Sequence, residues 1–313
     1  MKYFTIKKDI LATIAYFNLF DYPLRKNEIF GFLGHCDDYR EFENALKTLV
    51  TESHVFRIGD FYSLQNNYKL AIRRYRGNEN ARIMIGKAKW GASIIAAFPF
   101  VRAVGVSGSL SKLFADENSD IDYFIITAAN RLWIARTLLH IFKKLTFLFN
   151  KQHFFCMNYF VDEADPDILE KNIYTATEVV TLLPLRGDDI FENFFKVNNW
   201  AQTFFPNKNI SNPPLLRTRK NWIKFMIEKI LSNRFGDATD NFLMRLTARS
   251  WDKKTRDKKM DSKGILLGMH TGKHFSKPNP AFFQKKILQR YEKSLSEVFK
   301  RYELTRSYLA RDN

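Results

Sequence analysis

The stretch that decides the fold is residues 101–127, VRAVGVSGSLSKLFADENSDIDYFIIT. It begins with a nearly uninterrupted apolar run, Val101 to Val106, which is typical of a buried β-strand. Gly108 and Ser109 then break the run, and the residues after them can begin a helix. A second apolar run opens at Asp120. The sequence therefore predicts two strands joined by a glycine-containing turn and a short helix.

The turn is suited to binding phosphate. A strand that passes through glycine into a helix leaves backbone N–H groups pointing outward, and the helix dipole favours an anion there. Ser109 and Ser111 add hydroxyl donors, and Lys112 adds a positive charge. We therefore expect Gly108, Ser109, Ser111 and Lys112 to bind the phosphates of a ligand.

Two carboxylates follow the turn. Because side chains two apart in a strand share a face, Asp120 and Asp122 are predicted to lie side by side. Adjacent carboxylates repel unless a cation lies between them, and Mg²⁺ prefers oxygen ligands that it shares with substrate phosphates. An ordinary polar turn at residues 118–120 is the alternative, but it does not explain an aspartate at position 122 inside an apolar run. A phosphate-binding turn beside a carboxylate pair is the arrangement of metal-assisted nucleotidyl transfer.

The spacing of Gly108-Ser109 and Asp120-Ile121-Asp122 closely resembles the signature of the DNA polymerase beta-like nucleotidyltransferase superfamily. The resemblance implies a small mixed sheet in which the turn binds the triphosphate of an NTP such as ATP. It also implies that the two aspartates hold Mg²⁺ or Mn²⁺. In that superfamily a third carboxylate, on a later strand of the same sheet, commonly completes the site.

The third acidic position is where this chain departs from the pattern. After a helix predicted for residues 131–149, the next strand is expected at residues 154–161, and its interior polar residue is Asn158. Asp162 follows at the end of the strand and has the same parity as Asn158. Three alternatives are open: Asp162 supplies the third carboxylate, Asn158 ligates the metal weakly, or the site binds nucleotide without efficient turnover.

The charge and the cysteine content limit which partners and which cellular compartment are expected. The 313 residues carry a net charge of +17, and residues 208–313 hold 25 Lys and Arg against 10 Asp and Glu. Such a concentration attracts polyanions, so nucleic acid is an expected partner of this basic region. The two cysteines suit a reducing compartment, and charges interrupt the apolar stretches. We expect a cytoplasmic protein with no membrane partner, and the patterns favour no particular oligomeric state.

The fold class expected is mixed α+β, in four regions. These are a winged helix-turn-helix-like unit at 1–66, a helical connector at 67–97, the nucleotidyltransferase core at 98–206 and a basic, mainly helical region at 207–313. The third helix of the first unit is rich in acids, which favours protein contact or scaffolding over DNA reading. Nucleic-acid contacts are expected at residues 253–263 or 273–277.

These patterns predict a metal-dependent nucleotidyltransferase that moves an NMP from an NTP to a hydroxyl-bearing acceptor such as RNA or tRNA. Asp120 and Asp122 would hold the metal, and a third carboxylate, Asp162 in one alternative, would help to deprotonate the acceptor. The competing hypothesis is a non-catalytic, nucleotide-sensing regulator that binds nucleic acid and keeps a degenerate core. A toxin–antitoxin component that modifies tRNA or a partner protein is a third alternative.

Overall fold

The computed structural model describes residues 2–35, 38–117, 119–147, 155–210, 221–259, 268–278 and 283–309. Cys36 and residues 260–263, part of the segment expected to contact nucleic acid, lie outside the described residues. The described helices are α1 (Lys2–Asn18), α2 (Lys26–Gly31), α3 (Tyr39–Thr51), α4 (Tyr68–Ala96), α5 (Gly108–Ser111), α6 (Leu132–Phe147), α7 (Ile173–Thr181), α8 (Asp188–Val197), α9 (Trp200–Phe204), α10 (Trp222–Leu231), α11 (Arg234–Arg256) and α12 (Phe283–Leu309).

The described strands form two sheets, which confirms a mixed α and β chain. A three-stranded sheet has the order β1-β3-β2, and a six-stranded sheet has the order β7-β4-β5-β6-β9-β8. The strands are β1 (Leu24–Arg25), β2 (Phe56–Ile58), β3 (Phe61–Ser63), β4 (Val101–Val106), β5 (Asp122–Thr127), β6 (Cys156–Asp162), β7 (Leu183–Arg186), β8 (Met269–Thr271) and β9 (Phe275–Pro278).

The described part of the first region contains three helices and a β-hairpin. Helix α3 begins at Asp38, whose carboxylate accepts hydrogen bonds from the backbone N–H groups of Arg40 and Glu41. One face of α3 buries Phe42 and Leu46 beneath α1. The hairpin β2–β3 turns at Gly59-Asp60 and adds the short strand β1 at its edge.

The six-stranded sheet carries the candidate site. Strands β5 and β6 are parallel and are joined by α6, whereas every other described pairing in this sheet is antiparallel. The predicted strand at 101–106 is confirmed residue for residue. Strands β7, β8 and β9 were not predicted. The hairpin β8–β9 pairs with β6, so the sheet includes residues from both the expected core and the expected C-terminal region.

Three element boundaries differ from the expectation. Helix α5 is a single turn because Leu113, just beyond it, takes a φ of +57°, which no right-handed helix allows. Strand β5 begins at Asp122 rather than Asp120. The apolar stripe of residues 222–251 predicts one continuous helix, but the structure has two, α10 and α11. The charges of residues 252–263 predict a loop, yet α11 continues to Arg256.

The N-terminal region packs directly on the rest of the chain. Helix α1 lies against α12, and one continuous apolar cluster extends from Ile6 in α1 to Phe205 beyond α9. A second cluster, centred on Trp133 and Tyr123, fills the opposite side of the six-stranded sheet. Among the described residues, no helix has the length and apolar character needed to cross a bilayer.

Candidate active site

The glycine turn and the first carboxylate of β5 are in direct contact. Strands β4 and β5 pair antiparallel with Val106 opposite Tyr123, and the N–H of Ser107 donates to the carbonyl of Asp122 at 2.9 Å. Gly108 takes a φ of +70°, and a Cβ added there would lie 2.8 Å from Oδ2 of Asp122. Only glycine therefore allows the backbone of the turn to approach this carboxylate so closely.

The two aspartates are arranged as the strand alternation predicts. Ile121 and Tyr123 are fully buried, whereas Asp120 and Asp122 keep partial exposure on the other side. The pKa of Asp122 is raised to about 6, first because of burial, then because of the nearby charges of Asp120 and Glu178. A cation bound beside Asp122 would favour its ionised form and lower this pKa.

Asn158 completes this edge of the sheet. Its pairing with β5 is irregular, since Tyr123 faces Met157 and Phe124 faces Tyr159, which leaves Asn158 at a bulge. The bulge turns its side chain toward the site, where Nδ2 donates to Oδ1 of Asp122 at 3.2 Å. An amide, and not a carboxylate, therefore lies beside the pair on the neighbouring strand.

Asp162 does not belong to this site, and the expectation that it supplies a third carboxylate there is corrected. In the parallel ladder Asp122 pairs with Cys156, whereas Asp162 pairs with Thr127. Asp162 is therefore displaced by five strand positions, about 16 Å along the sheet. Parity predicts only the face of the strand on which Asp162 lies. Its position along the strand places it far from Asp120 and Asp122.

Asp162 instead binds neighbouring backbone at the far end of β6. It is fully buried, and its carboxylate accepts from the N–H groups of Asn130, Ala164 and Asp165 at 3.0–3.3 Å. It also lies 2.9 Å from Nδ1 of His274. This carboxylate is fully engaged in joining β6 to the loops after β5 and before β9.

The predicted phosphate-binding residues surround the turn. The hydroxyl of Ser111 and the ammonium of Lys112 both donate to the carbonyl of Gly108, at 2.9 and 3.0 Å. Ser109 is exposed, and in the described part of the chain its hydroxyl has no hydrogen-bond partner. Of the four residues, Ser109 is thus the one whose donor is free to meet a ligand without rearrangement.

Glu178, on α7, is the residue of the site that sequence reasoning missed. Its Oε2 accepts from the backbone N–H of Gly108 at 3.0 Å, and its Oε1 accepts from Nζ of Lys112 at 2.7 Å. A carboxylate therefore engages two donors expected to bind phosphate. The sequence held one signal of this role, because Glu178 is a single acid within the otherwise uncharged helix IYTATEVVT.

The N-terminal region reaches the same turn. The hydroxyl of Tyr22 donates to the carbonyl of Lys112 at 2.5 Å, and its ring lies edge-on against Phe114 with the centroids 5.7 Å apart. The guanidinium of Arg74 lies 3.8 Å from the centre of the Tyr22 ring and pairs with Glu28 at 2.7 Å. Residues from the first region and from α4 thus pack against the segment that follows the Gly108 turn and stabilise it.

Comparison of this chain with protein-family models, with curated proteins and with solved structures finds no match. The chemistry of the site therefore stands on its own geometry. Across the described ranges, no group of three or more His, Cys, Asp or Glu side chains is placed to hold a metal ion. A metal at Asp120 and Asp122 would take its remaining ligands from water or substrate.

The donor set at the pair nevertheless fits Mg²⁺ or Mn²⁺. The two carboxylates offer oxygen ligands, which these hard cations prefer, and the Nδ2 of Asn158 donates to one of those oxygens. The nearby thiol of Cys156 has its pKa raised to about 11 by burial, so it stays protonated and is a poor ligand near neutral pH. Burial and, after it, the nearby carboxylates raise the pKa of Asp122, and a bound divalent cation would lower it.

Proposed function

We propose that the chain is a metal-dependent nucleotidyltransferase that moves an NMP from an NTP to a hydroxyl-bearing acceptor. One observation carries the proposal: the backbone of the Gly108 turn lies against the carboxylate of Asp122. The approach is so close that a Cβ added at residue 108 would be 2.8 Å from Oδ2 of Asp122. A phosphate bound at the turn would therefore be next to a cation held by the aspartates. The resemblance of the spacing to the DNA polymerase beta-like superfamily supports the same function.

In this proposal each residue has a defined role. Asp120 and Asp122 hold Mg²⁺ or Mn²⁺, which when bound neutralises charge that develops on the reacting phosphate. The N–H of Gly108, the hydroxyl of Ser109 and the ammonium of Lys112 bind the outer phosphates of the NTP.

Binding in this way requires Glu178 to leave Gly108 and Lys112, because it engages both. The released carboxylate then becomes available to take the proton of the acceptor hydroxyl, the role that the sequence assigned to Asp162.

The regions around the core fit an accessory role. We propose that residues 1–66 are a winged-helix-type unit used as a scaffold, because α1 packs on α12 and Tyr22 supports the turn. The two acids of α3, Glu41 and Glu43, disfavour reading of DNA bases. The low cysteine content supports a reducing compartment, and we place the protein in the cytoplasm.

The test is nucleotide transfer with each radiolabelled NTP, Mg²⁺ or Mn²⁺, and total cellular RNA. Label on RNA or on the protein is expected with the wild type and not with Asp120→Ala/Asp122→Ala. Asp189→Ala, which removes an exposed carboxylate of α8, is the matched control and should keep full transfer. Equal transfer by the double variant would overturn the assignment of the pair.

A nucleotide-sensing regulator is the second candidate, and Asn158 is the observation that favours it. An amide in place of a third carboxylate leaves the pair with one ligand charge fewer than the superfamily pattern. Metal-dependent NTP binding without any transfer, lost in Asp120→Ala/Asp122→Ala, is the result expected of such a regulator. Equilibrium dialysis of the four NTPs measures this directly.

A further inference from the structure

Arg136, in α6, is a buried cation without an acidic partner. Its side chain is 4% exposed, and its Nε has no hydrogen-bond partner among the residues described. One Nη contacts only the sulfur of Met269, at 3.4 Å, and the guanidinium lies 5.4 Å from the centre of the Trp133 ring. Burying an unpaired charge is costly, so such a site calls for an anion.

Two more basic residue types, one of them an uncharged histidine, follow Arg136 along the same helix. His140 and Lys143 lie one and two turns further on, at positions four and seven, so the three side chains share one face of α6. In the described structure neither Arg136 nor Lys143 forms an ion pair with a carboxylate. We call Arg136 and Lys143, together with the neutral His140 between them, the α6 cation row.

Two further lysines enlarge the positive field. Lys144 of α6 and Lys254 of α11 both act on His140, whose pKa is lowered to about 3, chiefly by burial and then by four neighbouring cations. Helices α6 and α11 pack together, and Lys254 lies over the ring of Trp251 at 4.4 Å. The positive charge near His140 thus comes from two helices, α6 and α11, and not from a single exposed helix face.

The α6 cation row ends at the candidate active site. Helix α6 connects the end of β5 to the start of β6, so its C-terminal turns return to the edge that carries Asp122. Lys143 is close enough to lower the pKa values of both Asp122 and Cys156. From Arg136 to Lys143 the helix rises about 10 Å, which one phosphate ion cannot span but a chain of phosphates can.

We propose that the α6 cation row binds consecutive phosphates of a single-stranded RNA, which it guides to the carboxylate pair. The row supplies the charge that phosphates require and leads to the only acidic pair described at that edge of the sheet. The excess of Lys and Arg in residues 208–313 adds long-range attraction for the same polyanion. Identifying this RNA as the acceptor rests on the proposed function, whereas RNA binding itself does not.

The experiment measures binding of a fluorescent single-stranded RNA oligonucleotide at several salt concentrations. Lys143→Ala/Lys254→Ala is expected to weaken binding at least about tenfold and to reduce the salt slope by about 1.4, since each lost phosphate contact on a single strand contributes about 0.7. Lys47→Ala/Lys69→Ala removes the same charge from two exposed lysines elsewhere and should change the affinity less than twofold. Equal losses in the two double variants would overturn the proposal.

Arg136→Met separates a structural role from a binding role. Replacing an unpaired buried charge by an apolar side chain of similar length is expected to leave the melting temperature unchanged or higher. The same variant should bind RNA at least about fivefold more weakly. If Arg136→Met melts normally and binds RNA like the wild type, the row is not a phosphate site.

Inorganic phosphate identifies the source of the anion. If the row serves RNA, millimolar phosphate should compete only weakly with the oligonucleotide. Saturable phosphate binding that Arg136→Met abolishes, without RNA binding, would assign the site to a free ion and overturn the RNA proposal. If the protein binds RNA through the row but transfers no nucleotide, this inference is supported and the proposed function is wrong. The two failures are therefore distinguishable.

Discussion

Asp122 and Asp162 lie on neighbouring parallel strands, at opposite ends of one sheet, and meet opposite environments. Asp162 is fully buried and accepts from three backbone N–H groups besides its contact with His274. Asp122 lies near other carboxylates, and its side chain forms hydrogen bonds with the amide of Asn158 and the thiol of Cys156. Both residues satisfy the same pattern of an acid at the end of an apolar strand.

The difference teaches how to separate a structural acid from a functional one. A carboxylate surrounded by backbone donors is already stabilised as an anion, so it joins segments of the fold. A carboxylate placed among like charges is destabilised as an anion, and it improves only when a cation arrives. The two acids are thus distinguished by their surroundings, which are backbone N–H donors at Asp162 and burial together with neighbouring carboxylates at Asp122.

The largest effect expected is on transfer activity. Asp122→Asn keeps the shape of the side chain and the acceptor for Asn158 but removes the charge that would hold the metal. We expect at least about a 10²-fold loss of nucleotidyl transfer, as when one charged group is removed from a preorganised site. Initial rates at saturating NTP and Mg²⁺ measure it. Asp162→Asn, assayed below its melting temperature, should keep most of the activity, and equal losses in the two variants would break the comparison.

The second effect is on stability, and it concerns the other acid. Asp162→Asn replaces one acceptor oxygen by an NH₂ group that faces backbone N–H donors. We expect the free energy of unfolding to fall by about 3 kcal/mol, the loss typical of charge-assisted hydrogen bonds in a buried site. Urea denaturation followed by circular dichroism gives the value. A loss below about 0.5 kcal/mol would show that the Asp162 carboxylate does not hold the strand end.

The third effect has the opposite sign. The folded pKa of Asp122, about 6, lies above its ordinary value of 3.8, so the native protein holds a proton that the unfolded chain has released. Stability is therefore lost as the pH rises from about 4 through 6. In EDTA at pH 7.5, Asp122→Asn should be more stable than the wild type by about 2–3 kcal/mol. The gain should vanish near pH 4, and a gain independent of pH would contradict the charge argument.

The smallest effect concerns the acid that occupies the turn. Glu178→Gln weakens the hold on Gly108 and Lys112, so phosphates displace the side chain more easily. We expect inorganic triphosphate to bind about three- to tenfold more tightly, a change of about 1 kcal/mol. Isothermal titration calorimetry of Glu178→Gln and of Glu192→Gln, an exposed acid on α8, makes the comparison. Tighter binding combined with slower transfer would support both proposed roles of Glu178.

The parts of the site that local sequence predicts are those that lie close together in the chain. Residues 101–106 form the predicted strand, Gly108 turns the backbone, and Ile121 and Tyr123 alternate with the aspartates. Each of these features depends on neighbours within a few residues. Side-chain alternation and the torsional freedom of glycine are sufficient to derive them.

The parts that the sequence did not predict depend on register and on distant pairing. Parity gave Asp162 the same face as Asn158, but the parallel register moves it about 16 Å from the pair, and a bulge at Asn158 changes the parity count. Glu178 reaches Gly108 across 70 residues of chain. No local pattern states which helix will cover a turn, so this contact becomes visible only in the folded protein.

The hydrogen bond from Tyr22 to the carbonyl of Lys112 connects the N-terminal region to the Gly108 turn, where we propose that phosphate binds. Thermodynamic linkage makes such a contact act in both directions. If displacement of Glu178 by a ligand shifts Lys112, the hydrogen bond of Tyr22 changes as well, and with it the affinity of the N-terminal region for a partner. A partner bound to the N-terminal region would in turn change the ligand affinity of the turn by the same factor. Binding at the N-terminal region and at the proposed phosphate-binding turn would then be coupled in part through the hydroxyl of Tyr22.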